Sequence, residues 1–244
     1  MKHYIYIFTI ALLSMAASCK QNADKNNSGD NAGDNGTNNT GNDNRISYRF
    51  DKNKPYPYET GVIEYKYTGD IQGTQTVYFK DYGRILSVEE EYTNVSAPTQ
   101  PKVKQTFINT PDKYYFINHL AKQGYVAKRN DSTVKDQTNL LADVTTIGID
   151  SAMNKNGYKP SGQVEISGKK CQVYKSETGE SEFCFWEGMN IRTEMQLGQN
   201  VKYKLEAVKI RENAKVGDDK FSPPGDVKMM DYNQYMKAQT KDKL

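Results

Sequence analysis

Four features of this chain could carry chemistry: one histidine beyond the N-terminal segment, a run of three glutamates, a spaced cysteine pair and a single tryptophan. His119 sits beside Asn118 at the end of a short alternating stretch, and one imidazole cannot assemble a multi-histidine metal site. Its expected role is structural or solvated. Glu89-Glu90-Glu91 could suggest a metal or acid–base site, but neighbouring residues of a strand point to opposite faces. The run therefore reads as a solvated strand end. The sequence holds no Gly-x-Ser-x-Gly elbow, phosphate-binding loop, dinucleotide glycine fingerprint or His-Glu-x-x-His helix. The expectation is a protein that is not an enzyme, with no metal and no cofactor.

Cys171 and Cys184 flank a hairpin whose turn is centred on Glu177 to Gly179. Counting back from that centre places the two cysteines opposite each other, within reach of a cross-strand disulfide. Their spacing is not the Cys-x-x-Cys of a redox pair, so a staple is expected rather than reactive thiols. Trp186 lies beside the next turn. Such a residue is either a binding platform or part of the packing on a sheet face.

The elements that must position these residues begin after a segment of a different kind. Lys2 and His3 precede an apolar run from Tyr4 to Leu13, too short for a permanent membrane helix. Leu13-Ser-Met-Ala-Ala-Ser-Cys19 follows, with small residues directly before the cysteine, and resembles a bacterial lipobox. That resemblance implies a signal peptide over residues 1–18 and a lipidated Cys19 as first mature residue. Two or more acyl chains would hold it stably to a membrane. Residues 19–45 continue as an Asn-, Gly- and Asp-rich tether that cannot bury apolar surface to offset its ordering entropy. Export also means an oxidising compartment, which favours the disulfide. Lys20 to Ala23 separate Cys19 from the first acidic residue, Asp24. This favours a periplasm-facing anchor in the outer membrane of a Gram-negative cell over a surface-exposed one.

Residues 46–244 read as one β-rich domain. Apolar residues make up 36% and aromatics 11%, with 18 tyrosines, a balance that suits half-solvated sheets better than a helix bundle. Cations and carboxylates are interleaved and the formal charge is only +3, so no basic block argues for nucleic acid. Ile63, Tyr65 and Tyr67 alternate with Glu64 and Lys66, and Val103, Gln105 and Phe107 alternate with Lys104, Thr106 and Ile108. About eleven strands can be counted this way, six before residue 130 and five after residue 157. Between them, Ser132 to Asp143 has a helical stripe through Leu140, Val144 and Ile147, and Asp150 to Gly157 has the marks of a short helix. Asp226 can cap a C-terminal helix with a stripe of Met229, Tyr232 and Met236. Asp131-Ser-Thr133 and Asp150-Ser-Ala152 are similar to a short bacterial O-glycosylation triplet, a pattern loose enough to arise by chance.

Gly61-Val-Ile-Glu-Tyr65, Tyr78-Phe-Lys-Asp-Tyr-Gly83, Ile166-Ser-Gly-Lys-Lys-Cys171, Phe185-Trp-Glu-Gly188, Glu206-Ala207 and Phe221-Ser-Pro-Pro224 occur in this order. Together they resemble Bacteroidetes-type lipoproteins of the LolA/LolB-like half-barrel superfamily, over roughly residues 58–226. The resemblance implies a mainly β fold, a curled antiparallel half-barrel with helices on its concave face. It also implies that the concavity accepts an acyl chain, a lipid or another amphiphile. Tyr65, Tyr67, Phe107, Leu140, Val144 and Trp186 are the residues expected to meet such a ligand. The alternative is an envelope protein–protein module that uses a sheet edge or the C-terminal methionines.

Overall fold

The computed structural model describes residues 51–129, 148–197 and 201–241. Cys19 with its signal peptide and tether, the Asp131 triplet, and the Ser132–Asp143 helix with Leu140 and Val144 lie outside the described residues. Six strands come first: β1 (Gly61–Gly69), β2 (Ile71–Lys80), β3 (Ile85–Asn94), β4 (Val103–Asn109), β5 (Lys113–Asn118) and β6 (Gln123–Lys128). A short helix, α1 (Ile149–Lys155), leads into β7 (Tyr158–Ile166), β8 (Lys169–Ser176), β9 (Ser181–Trp186), β10 (Met189–Leu197) and β11 (Val201–Glu212). The chain ends in β12 (Lys228–Asp231) and α2 (Tyr232–Lys241).

All of these strands belong to one open, curled sheet, in the order β12-β6-β5-β4-β3-β2-β1-β11-β10-β9-β8-β7. Two meanders, β1–β6 and β7–β11, are joined where β1 pairs antiparallel with β11. Bulges interrupt the ladders at Glu64/Tyr65, Asn190/Arg192 and Pro160/Gln163, and each adds local twist that helps the sheet to curl. The outer edge strand β7 carries Pro160 and Gly162 at its bulge, a device that blunts pairing with another chain.

The count is twelve rather than eleven, and the extra strand changes the reading of the C-terminus. Met229 is not on a helix: Lys228 to Asp231 pair in parallel with Gln123 to Val126, so the sheet is not wholly antiparallel. The helix starts only at Tyr232, where Asp231 Oδ1 accepts the Gln234 backbone N–H at 2.9 Å. Asp226 instead pairs with Lys122 at 3.2 Å.

Both helices pack on the same face of the sheet. Ile149, Ala152 and Met153 of α1 bury against Tyr174, Phe183 and Phe185. Tyr174 donates its hydroxyl hydrogen to Asp150 Oδ1 at 2.5 Å, which ties the helix to β8. At the other end of the sheet, Tyr235 of α2 sits edge-on to Phe116 at 5.9 Å and lies 5.2 Å from Tyr125. The opposite face is covered over β4–β6 by the segment before β12, whose Phe221 buries against Ile108 and Ile117.

Cys171 and Cys184 form a disulfide with Cα atoms 5.6 Å apart. The register differs from the count back from the turn: Val173, not Cys171, is opposite Cys184, so the bridge runs diagonally between β8 and β9. Replacing both cysteines by serine is expected to cost roughly 3 kcal/mol for a loop of this length. A denaturant titration of the double variant, read by far-UV circular dichroism, checks this. Tyr235→Ala should cost a similar amount, about 3 kcal/mol, by uncoupling α2 from its aromatic bed.

Candidate functional site

Register places the middle of the helix-bearing face under one row of polar side chains. Gln75 is opposite Glu90, Glu90 is opposite Gln105, Gln105 is opposite Asn118, and Asn118 is opposite Gln123. Five strands, β2 to β6, each supply one member. The next row on one side is Val77, Val88, Phe107, Phe116 and Tyr125, and on the other Tyr92 is opposite Val103. A polar line therefore runs through an apolar, largely aromatic surface, buried at Gln75, Glu90 and Gln105 and half-buried at Asn118 and Gln123.

Glu90 is the centre of this line and only 3% exposed. Its Oε2 accepts from Gln75 Nε2 at 3.2 Å and from the Tyr67 hydroxyl at 3.1 Å, and its Oε1 accepts from Gln105 Nε2. Gln75 Nε2 also donates to the Tyr67 oxygen at 3.2 Å. Among the described residues no lysine, arginine or histidine forms an ion pair with it. Burial pushes the carboxyl up to about 7, against the opposing pull of the three donated hydrogen bonds. Tyr67 and Tyr114 face it, and burial raises both phenols well above their ordinary value. They stay neutral throughout the range in which Glu90 titrates.

Two tyrosines reach across whole strands because small residues let them. Tyr67 of β1 is opposite Gly73 of β2 and leans over it to Glu90 on β3. A Cβ at Gly73 would sit 2.6 Å from the Tyr92 Cα, and its φ of +155° is one that side chains resist. Tyr65 is opposite Ala207 of β11 and donates across it to the Asn190 carbonyl on β10 at 2.7 Å. Tyr67 packs between Tyr92 and Tyr203, with ring centroids 5.5 and 6.1 Å away.

The neighbouring glutamates behave differently. Glu89 and Glu91 face the other side, where Glu89 pairs with Lys220 at 2.8 Å and Glu91 with Lys102 and Lys104. The run does split between two faces, but reading it as a wholly solvated strand end is wrong for Glu90. The signal is in the alternation: Glu90 is in phase with Val88 and Tyr92, and Gln75 and Gln105 are likewise in phase with apolar neighbours.

Of the residues expected to line a site, Tyr65, Tyr67 and Phe107 share the helix-bearing face and are buried. Trp186 packs in one buried cluster with Tyr65 and Tyr67, whereas Phe107 belongs to another. By register Trp186 stands opposite Met189 and in phase with Cys184, on the reverse side of β9 from Phe183 and Phe185. There it packs tilted against Tyr58 at 5.8 Å under the Lys169 ammonium at 4.5 Å. Lys169 also pairs with Glu212, so the β7–β8 turn is clasped over the buried tryptophan. His119 is half-buried, its Nε2 2.8 Å from Thr106 Oγ1. Burial, then Lys104, holds its pKa below the ordinary imidazole value. Among the described residues no group of three or more His, Cys, Asp and Glu could hold a metal ion.

No protein-family model matches the chain, and no curated protein does. Solved structures resemble it at low identity. An uncharacterized conserved protein from Thermus thermophilus matches with a TM-score of 0.47 and 11% identity, over 74% of this chain and 94% of that one. MucB in complex with MucA(peri) matches at 0.40 and 8%, over 73% of this chain and 58% of that one. LprF from Mycobacterium bovis matches at 0.33 and 10%, over 72% and 93%. At these scores none of them bears on what this chain binds.

The buried carboxyl makes stability depend on pH with a definite sign. Its folded pKa lies above its unfolded value, so between about 4.5 and about 7 the folded state holds more protons. Stability should fall as pH rises through that window, by on the order of 3 kcal/mol, and stay low above it. Glu90→Gln should flatten the profile and be the more stable protein at neutral and alkaline pH, since flipped Gln75 or Gln105 amides can accept from it. Urea midpoints of both proteins across the range decide the matter.

Proposed function

We propose that this chain is a membrane-anchored lipoprotein of the Gram-negative cell envelope, held by lipid on Cys19 in the outer membrane and facing the periplasm. Its half-barrel holds the apolar part of an amphiphile against the helix-bearing face, and its role is binding rather than catalysis. The lipobox-like residues before Cys19 support the anchoring, and the resemblance to LolA/LolB-like half-barrels supports the ligand class. The observation that carries the reading is the lining of that face. Tyr67, Tyr92 and Leu205 on one side of the polar row, and Phe107 and Phe116 on the other, make that face of the curled sheet largely apolar, the chemistry that acyl chains require. Each 100 Å² of apolar ligand surface buried there would contribute about 2.5 kcal/mol before ordering costs.

Among the described residues the exposed large hydrophobics are Val95, Leu120, Val208 and Met236, which come from four separate parts of the chain. Native mass spectrometry of the Cys19→Ala chain, purified without detergent, tests the proposal. The expected result is a stoichiometric acyl-bearing ligand that is lost on denaturation. A mass equal to that of the bare chain, unchanged after incubation with envelope lipid extract, would overturn it.

A further inference from the structure

Glu90 poses a chemical question that a purely apolar ligand leaves unanswered. Buried charges in proteins are normally paired with an opposite charge or a metal. The two carboxylates beside it in β3 have lysines, but on the other face of the sheet. Glu90 has three uncharged donors, two on Oε2 and one on Oε1. A carboxylate offers roughly four lone-pair sites, so Oε1 can accept one bond more. Around the carboxyl stand aromatic rings: Tyr67, stacked between Tyr92 and Tyr203 on one side, and Phe107 with Tyr114 6.2 Å from it on the other. Aromatic faces attract cations through the ring quadrupole and repel anions.

From this constellation we propose that the ligand bound on the helix-bearing face carries an ammonium group, and that this group ion-pairs with Glu90 among the surrounding tyrosines. The inference rests on the amphiphile-binding function proposed above and names the headgroup chemistry of that same site. An anionic headgroup would meet a carboxylate. A neutral headgroup would leave the carboxyl to lose its charge. An ammonium group satisfies together the remaining lone pair and the charge that no described residue pairs.

The experiment compares lauryl amine, lauryl maltoside and laurate, which share a chain length and differ in charge, by calorimetry on the Cys19→Ala chain. At about pH 8, where Glu90 is ionised, the amine should bind at least about tenfold tighter than the other two. Glu90→Gln should abolish that preference, bringing the amine to the affinity that the same variant shows for the maltoside. A second reading needs no variant. At about pH 6, amine binding to the unsubstituted Glu90 site should release close to one proton, seen by repeating the titration in buffers of different ionisation enthalpy. Equal affinity for all three probes would overturn the ammonium inference and leave the binding function standing. Binding of none would remove both. An amine preference that survives in Glu90→Gln, or binding without proton release, would show that Glu90 is not the partner.

Discussion

One sheet of twelve strands presents two faces, and everything else in this domain follows from the need to cover both. A strand that alternates apolar and polar residues needs cover on one side only, but β4–β6 carry apolar residues on both, with Phe107, Phe116 and Tyr125 on one face and Ile108 and Ile117 on the other. The C-terminal segment resolves this by wrapping round the edge. It crosses the second face with Phe221, runs beside β6 as a parallel strand, and returns onto the first face as α2 with Tyr235. The last strand thus closes an exposed edge and delivers a helix to the face that needs it.

Against that covered surface the polar row is a local conflict. A glutamate at an apolar phase costs stability wherever it is ionised, and no lysine or arginine among the described residues offsets the cost. The surroundings are nevertheless built for it. Gly73 has no side chain, so Tyr67 can pass, and two glutamines flank the carboxyl from the adjacent strands. Natural sequences that break a local rule while arranging partners for the exception tend to do so at functional sites. The ionised pairs elsewhere, such as Arg211 with Glu64 and Lys159 with Glu177, lie at the surface and contribute little.

Much of the sheet is legible in the sequence. Alternation in Gly61–Gly69 and Val103–Asn109 reveals both the strands and the face each residue occupies, because a period of two fixes orientation once a strand is recognised. The misreadings have physical causes. Four residues are too few to show alternation, so β12 merges with the helix that follows it. A parallel pair also has no hairpin turn to announce it. Counting from the turn finds the right cysteines in the wrong register, because the ladder is centred between Thr178 and Gly179, one residue beyond the midpoint of the two cysteines. Twist then brings the diagonal neighbours close enough to bridge. Glu90 hides among its charged neighbours, although its phase with Val88 and Tyr92 separates it from them.

Glu90 is a desolvated carboxyl held by uncharged donors, with no cation beside it among the described residues. Following its side-chain carboxyl carbon by NMR as pH is raised tests this directly, with the Glu90→Gln spectrum identifying the resonance. The account predicts a midpoint near 7, well apart from the other glutamates. A midpoint in the ordinary carboxylate range, about 4 to 5, would mean that water or a cation reaches the group, and would contradict it.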